Sequence, residues 1–218
     1  MTLRSRILSP FVVALFLLLT LPTAWPGEGP GPVLAAGAGE GYLVPGLIFL
    51  GAASLMDQSL YEAVQESSTP ERRAFFDAVT YLGDGWTAVA VALGLRGRDP
   101  RTADMVGTAF LRAGLAVNVL KLVISRPRPT EDPAKCGKYG WGLSHCGSFP
   151  SGHSATAFSV AHVLAHRYPE HKGLFYTLAL LAAWSRVEVQ AHWPSDVVAG
   201  ALIGLLAADS VIHQASGR

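Results

Sequence analysis

Three short stretches carry most of the chemistry available to this chain. They are Lys121 with Arg128-Pro129, the tetrapeptide Pro150-Ser151-Gly152-His153, and Ser185-Arg186 followed by His192 and Asp196. Together they hold three fixed cations, two histidines, a carboxylate and a helix start. A transferring phosphoryl group spreads negative charge over its equatorial oxygens, and guanidinium forks meet such oxygens bidentately. A carboxylate that holds Nδ1–H of an imidazole leaves Nε2 as a nucleophile of fixed tautomer. The set suits phosphoryl transfer carried by side chains alone.

Each piece has a plainer reading by itself. His192 and Asp196, four residues apart with Pro194 between them, also fit a capped helix start. Pro150-Ser151-Gly152-His153 precedes an apolar helix beginning near Ala155. The first N–H groups of such a helix have no intrahelical partner and face any anion placed there. Gly152 permits close approach, Ser151 adds a hydroxyl donor, and His153 lies within reach of a leaving oxygen as general acid. Lys121 and Arg186 end apolar segments, where long cationic side chains commonly reach for the interface. Arg126-Pro127-Arg128-Pro129 offers the same dipeptide twice, so Arg126 competes with Arg128 for the phosphate. His145, His162, His166, His171 and His213 match no motif, and surface or interhelical roles are expected for them.

The elements that must position these groups are apolar. Half of the 218 residues are hydrophobic and only 15% are charged, against about 25% in ordinary soluble domains. A net charge of +1 gives no field for nucleic acid. Apolar segments recur at 43–56, 78–95, 105–124, 155–165, 174–187 and 197–212, without strand-like alternation. The expected fold is all-α, a membrane-embedded bundle of about six helices with its site at one membrane face. Only 105–124 clearly reaches the length of about 20 residues that a span needs. Residues 1–41 read as an N-terminal signal or anchor segment, with Arg4 and Arg6 before an apolar run at 10–21, followed by a Gly/Pro-rich linker. Residues 42–218 read as the helical domain.

Charge placement orients the bundle. Basic loops at 96–101 and 166–172 alternate with the loops that carry the chemical residues, and basic loops prefer the cytoplasm. The stretches at 150–153 and 185–196 then share the outer face. Counting both 10–21 and 43–56 as spans breaks this parity, so the first is cleaved or lies flat, or the second does not cross fully. Cys136 and Cys146 would also lie outside, where a disulfide closing a ring of roughly ten residues is stable by about 2–3 kcal/mol. Zinc is not expected from two lone cysteines without ligand-spaced histidines. No metal or other cofactor is expected.

The three stretches together closely resemble the signature of the type 2 phosphatidic acid phosphatase superfamily, which joins lipid phosphatases, bacterial acid phosphatases and vanadium haloperoxidases. Lys121, six residues, Arg128-Pro129; then Pro150-Ser151-Gly152-His153; then Ser185-Arg186, five residues, His192, three residues, Asp196 match it in full. The resemblance implies His192 as the nucleophile, Asp196 as its partner, and His153 as acid for the leaving group. Lys121, Arg128, Ser151, Gly152 and Arg186 would bind phosphate, with Arg126 left at the rim. Ser148-Phe149, Ala155-Thr156-Ala157-Phe158 and His192-Trp193-Pro194-Ser195-Asp196 look most like the membrane lipid phosphatases. Glu188 departs from the pattern by placing an anion where an aromatic residue is more familiar.

The expected activity is hydrolysis of a lipid phosphate or diphosphate through a phosphohistidine, in the bacterial cytoplasmic membrane with the site facing outward. The expected partners are that substrate and the membrane. A soluble periplasmic acid phosphatase of broad specificity is the alternative, followed by a vanadate-dependent haloperoxidase and a non-enzymatic membrane scaffold.

Overall fold

The computed structural model describes residues 40–136 and 146–216. The apolar run at 10–21, nearly all of the Gly/Pro-rich stretch, and His145 lie outside them. Among the described residues eight α-helices follow one another: α1 Glu40–Leu55, α2 Asp57–Glu66, α3 Pro70–Val79, α4 Gly85–Arg96, α5 Pro100–Val123, α6 Gly152–Arg167, α7 Lys172–Glu188 and α8 Pro194–Ser216. Within the same residues there is no strand, only an isolated bridge between Arg126 and Gly147. The all-α bundle expected from the sequence is what the chain forms.

Six of these helices run along the bundle and two cap it. Tyr42 at the start of α1 donates to Asp209 near the end of α8. Asp57, just after α1, accepts from the Ser195 amide at the start of α8 at 2.8 Å. Helix α1 therefore runs from one end of the bundle to the other, over about 24 Å at 1.5 Å per residue. Helices α2 and α3 turn across the end that α1 reaches, with a bend of 70° between α1 and α2. The chain then descends through α4, returns through α5, descends through α6, returns through α7 and descends through α8. Helices α5 and α8 are long and apolar enough to cross a membrane, and each of the bent pairs α1–α2 and α3–α4 passes the same test as one broken span.

Local chemistry explains the breaks. The apolar run 78–95 does not form one helix, because Asp84 accepts from the Trp86 amide at 3.1 Å and starts α4 afresh after a 3-10 turn at Thr80–Gly83. Asp99 caps α5 in the same way through the Thr102 amide at 3.0 Å, ahead of Pro100. Helix α7 ends where Gln190 takes φ 62°, and the Arg186 carbonyl then accepts from the amides of both Ala191 and His192.

Helix α6 lies at the centre, against α5, α7 and α8. Its approach to α8 is very close: a Cβ on Gly200 would sit 2.2 Å from the Ser151 carbonyl oxygen, and one on Gly204 2.4 Å from that of Ala155. Toward α7 the seam is small-residue packing of Ala157 and Ala161 with Ala179, Ala182 and Ala183. Large apolar side chains such as Ile48, Leu93, Leu111, Leu115 and Leu122 point outward instead. That inversion, small residues within and leucines without, is how a bundle solvated by lipid is built.

The two basic loops meet at the end opposite the caps. Arg167 pairs with Asp99 at 3.2 Å and donates from Nε to the Thr102 hydroxyl at 2.8 Å, while the Tyr168 hydroxyl donates to Asp99 at 3.1 Å. The described parts of the α5–α6 connection, 124–136 and 146–151, and the α7–α8 connection at 189–193 lie at the capped end, beside α2 and α3.

Candidate active site

The end of α5, the start of α6 and the α7–α8 connection converge at the capped end. Lys121, in the last turn of α5, reaches the Gly147 carbonyl. The chain after α5 turns beside the segment returning to α6: the Ser148 amide donates to the Arg126 carbonyl at 3.0 Å. Cys136 and Cys146 are bonded to one another, with Cα atoms 5.4 Å apart, and so tie the two halves of this connection together.

At the start of α6, Ser151 is the N-cap, accepting from the Ser154 amide at 3.4 Å and its hydroxyl at 3.1 Å. The Ser151 amide donates to the Asp196 carbonyl at 2.9 Å, which docks α6 on α8. The first N–H groups of the helix, those of Gly152 and His153, have no intrahelical acceptor and form an anion-binding end. A Cβ on Gly152 would only reach ordinary contact, 3.8 Å from Val117. Packing does not demand glycine there. His153 is packed from behind by Gly83, whose added Cβ would lie 2.8 Å from the His153 carbonyl oxygen.

His192 is 3% exposed, and its Nδ1 lies 3.6 Å from Oδ2 of Asp196. That is an ion-pair distance and too long for a hydrogen bond, so Nδ1 has no partner at bonding distance. Sites of this kind often tighten only around their substrate. Burial pushes the His192 imidazole below its ordinary pKa; Asp196 opposes this, while Lys121 and Arg186 add to it. That shift favours the neutral imidazole at neutral pH.

Asp196 is fully buried, and its carboxylate is saturated by donors. Oδ1 accepts from Arg126 at 2.6 Å, and Oδ2 from the Ser148 hydroxyl at 2.5 Å and the Trp193 amide at 3.0 Å. Arg186 donates from Nη1 to the Thr80 hydroxyl at 2.5 Å, while its buried Nε has no partner among the described residues. Arg128 is exposed, with its amide on Glu131 at 2.9 Å and its guanidinium 3.8 Å from the same carboxylate. Lys121, Arg128 and Arg186 lie near enough to feel one another's charge.

The structure thus gathers Lys121, Arg128, Ser151, Gly152, His153, Arg186, His192 and Asp196 at one mouth. Residues 104–218, just over half of the chain, match the family model described as the PAP2 superfamily. The chain belongs to the PAP2 superfamily. It is 36% identical over 101 residues to a lipid A 1-phosphatase of Rhizobium etli, an alignment covering 44% of this chain and 43% of that protein. The chain thus spans under half the length of that curated relative. Among solved structures, LpxE of Aquifex aeolicus superposes with a TM-score of 0.63 at 28% identity, covering 72% of this chain and 95% of the other. A transmembrane PAP2-type phosphatidylglycerolphosphate phosphatase of Bacillus subtilis gives 0.63 at 25% identity, covering 82% and 96%.

Two residues sit differently from expectation in this PAP2 site. Arg126 is not at the rim: it turns inward, against Asp196 and Asp57. Glu188 does not face the mouth. It is fully buried on the other side of α7, paired with Arg72 of α3 and accepting from the Trp184 indole at 2.6 Å. Residues 186 and 188 are about 200° apart around a helix, which is why neighbours in sequence face opposite ways. The sequence reading missed Asp57 and Thr80, which carry no motif. The doubled Arg-Pro dipeptide was the one visible sign that Arg126 had work of its own. The one grouping of three potential metal ligands among the described residues is Glu131 with Cys136 and Cys146. Both sulfurs there are spent in the disulfide and offer no thiolate.

Proposed function

We propose that the chain is a membrane phosphatase that hydrolyses a lipid phosphate or diphosphate through a phosphohistidine on His192. The observation that carries the reading is the buried His192 set beside Asp196 and faced by Lys121, Arg186 and the start of α6. In the first step Nε2 of His192 attacks phosphorus. The bond from phosphorus to the lipid oxygen breaks, and His153 gives that oxygen its proton. In the second step water attacks the phosphohistidine, the P–N bond breaks, His153 takes the water's proton, and orthophosphate leaves. Lys121, Arg128, Arg186, Ser151 and the amides at Gly152 and His153 hold the equatorial oxygens. No step requires a metal ion.

The substrate class follows from position and relatives. The mouth lies at one end of a membrane bundle, flanked by the exposed aromatics Tyr81 and Trp86, which suit the headgroup level of a bilayer. The relatives act, by their names, on lipid A and phosphatidylglycerolphosphate. The reading places the enzyme in the bacterial cytoplasmic membrane with its site outward, because the basic loops gather at the opposite end. The purified full chain in detergent, assayed on phosphatidate, phosphatidylglycerolphosphate, undecaprenyl diphosphate and lipid A with excess chelator, tests it. Release of orthophosphate from at least one lipid, with an acid-labile phosphoprotein absent from His192→Ala, is expected. Activity that requires added metal, or activity on soluble esters alone, overturns it.

A further inference from the structure

Arg126 touches two buried carboxylates, and neither belongs to the phosphate cradle. Its Nη1 donates to Asp196 at 2.6 Å and lies 2.7 Å from the Ser195 hydroxyl; its Nη2 donates to Asp57 at 2.5 Å. Asp57 is anchored in turn, accepting from the Ser195 amide at 2.8 Å and the Ser195 hydroxyl at 2.5 Å. The guanidinium also lies over the Trp193 ring, 5.5 Å from its centre. Its main chain works on the same target: the Arg126 carbonyl fixes the Ser148 amide, and the Ser148 hydroxyl donates to Asp196. Both terminal nitrogens of Arg126 are thus directed at the carboxylates and the Ser195 hydroxyl behind the site. Arg128, two residues on, is exposed and among the described residues is held by Glu131.

We propose that Arg126 is a positioning residue, clamping the Asp196 carboxylate that faces Nδ1 of His192, with Asp57 holding the clamp from behind. The proposal rests on the reading of His192 as nucleophile. Two consequences follow. The carboxylate cannot swing away from the imidazole, because both its oxygens are bound from outside. Part of its charge is also compensated, so it orients His192 without stabilising the imidazolium fully. The charges facing His192 are Asp196 from α8, Lys121 from α5, Arg186 from α7 and His153 from α6, with Arg126 and Asp57 behind Asp196. Removing the Arg126 charge leaves Asp196 less compensated, favours protonated His192, and moves the acid limb of the rate profile to higher pH.

The test uses the purified full chain in detergent with p-nitrophenyl phosphate and phosphatidate, and inorganic phosphate as competing inhibitor. Arg126→Gln and Arg126→Ala are expected to lower kcat roughly 10- to 100-fold, the scale seen for outer partners that orient histidines. KM and the phosphate inhibition constant should stay within about threefold, and the acid limb should rise by about half to one pH unit. Arg126→Lys should return the limb to its wild-type position while restoring kcat only in part, since one ammonium cannot fork to both carboxylates. Asp57→Asn should lower kcat several-fold at unchanged KM without raising the acid limb, since the charge it removes is an anion behind Arg126. A parallel rise of KM and of the phosphate inhibition constant makes Arg126 a phosphate ligand and overturns the proposal. An unmoved acid limb or an unchanged kcat in Arg126→Gln and Arg126→Ala does so too. If Arg126→Ala does not accumulate as a monodisperse protein, Arg126→Gln decides by the same readouts, and an unchanged kcat in both Arg126→Lys and Asp57→Asn overturns the proposal. Turnover surviving in His192→Ala overturns the nucleophile reading itself, whereas a dead His192→Ala with an unaffected Arg126 series overturns only this proposal.

Discussion

His192 and His153 are proposed for different parts of the reaction, and their substitutions should differ in kind. If His192 carries the phosphoryl group as proposed, His192→Ala should abolish turnover for every substrate. His153→Ala removes a proton donor, whose worth depends on the leaving group. Loss should be large, on the order of 10²- to 10⁴-fold, for an alkyl lipid phosphate. It should be slight for p-nitrophenyl phosphate, whose phenolate leaves unaided. Equal losses on the two substrates count against His153 as the acid. The pH profile is a second check at this scale. Since burial holds His192 below its ordinary value, the nucleophile stays neutral as pH falls through 6.5 and is lost only at lower pH. The acid limb of kcat/KM, after division by the substrate's own titration, should therefore fall below 6.5; a limb above that value rejects a buried, cation-faced nucleophile.

The helices decide whether those residues meet, and here glycine does more than any charged group. Gly200 and Gly204 let α8 approach α6 until backbone touches backbone, which brings Asp196 against Ser151. Gly200→Ala would place a methyl 2.2 Å from the Ser151 carbonyl oxygen, backbone that cannot rotate aside. Overpacking of this kind costs about 1–3 kcal/mol, and the strain falls on the cap that opens the phosphate site. A thermal shift in detergent should show the destabilisation, together with a loss of kcat larger than that of Gly51→Ala, where the added methyl meets nothing within 4 Å. Legibility varies at this scale too. The six passes were readable because each carries an apolar run. Helices α2 and α3 were not, because they are short and polar and hold the end of the bundle by particular bonds, such as Asp57 to Ser195 and Arg72 to Glu188. The Thr69-Pro70-Glu71 start of α3 was a helix signal that an apolar-run reading passes over. Arg112 within α5 binds Ser210 at 2.8 Å and Gln214 at 2.6 Å across the bundle. The catalytic stretches were legible because each sits at a helix end with a fixed local geometry. Partners such as Asp57 lie about 70 positions or more from their targets, and only the fold joins them.

At the scale of the whole molecule, six passes put residue 40 and residue 216 at the same end, away from the site. Helix α1 runs along the bundle between Asp209 and Ser195. The same arrangement makes the orientation testable through the cysteines. The basic loops meet at the far end through Arg167 and Asp99, while the Cys136–Cys146 bond lies at the site end. If the basic end is cytoplasmic, the disulfide is in an oxidising compartment and the site faces outward. Arg98→Cys puts a single thiol in the α4–α5 loop without touching a residue of the site. In intact cells a membrane-impermeant maleimide should leave that introduced thiol unlabelled until the membrane is opened, and should label Cys136 and Cys146 only after an impermeant reductant is added. Labelling of the introduced thiol from outside, with Cys136 and Cys146 reactive only in opened cells and without reductant, would place the site in the cytoplasm. The same experiment reports on the chemistry. If the bond between the two halves of the 124–151 connection holds Arg126 beside Gly147, reduction should lower kcat along with exposing the thiols, and reoxidation should restore it.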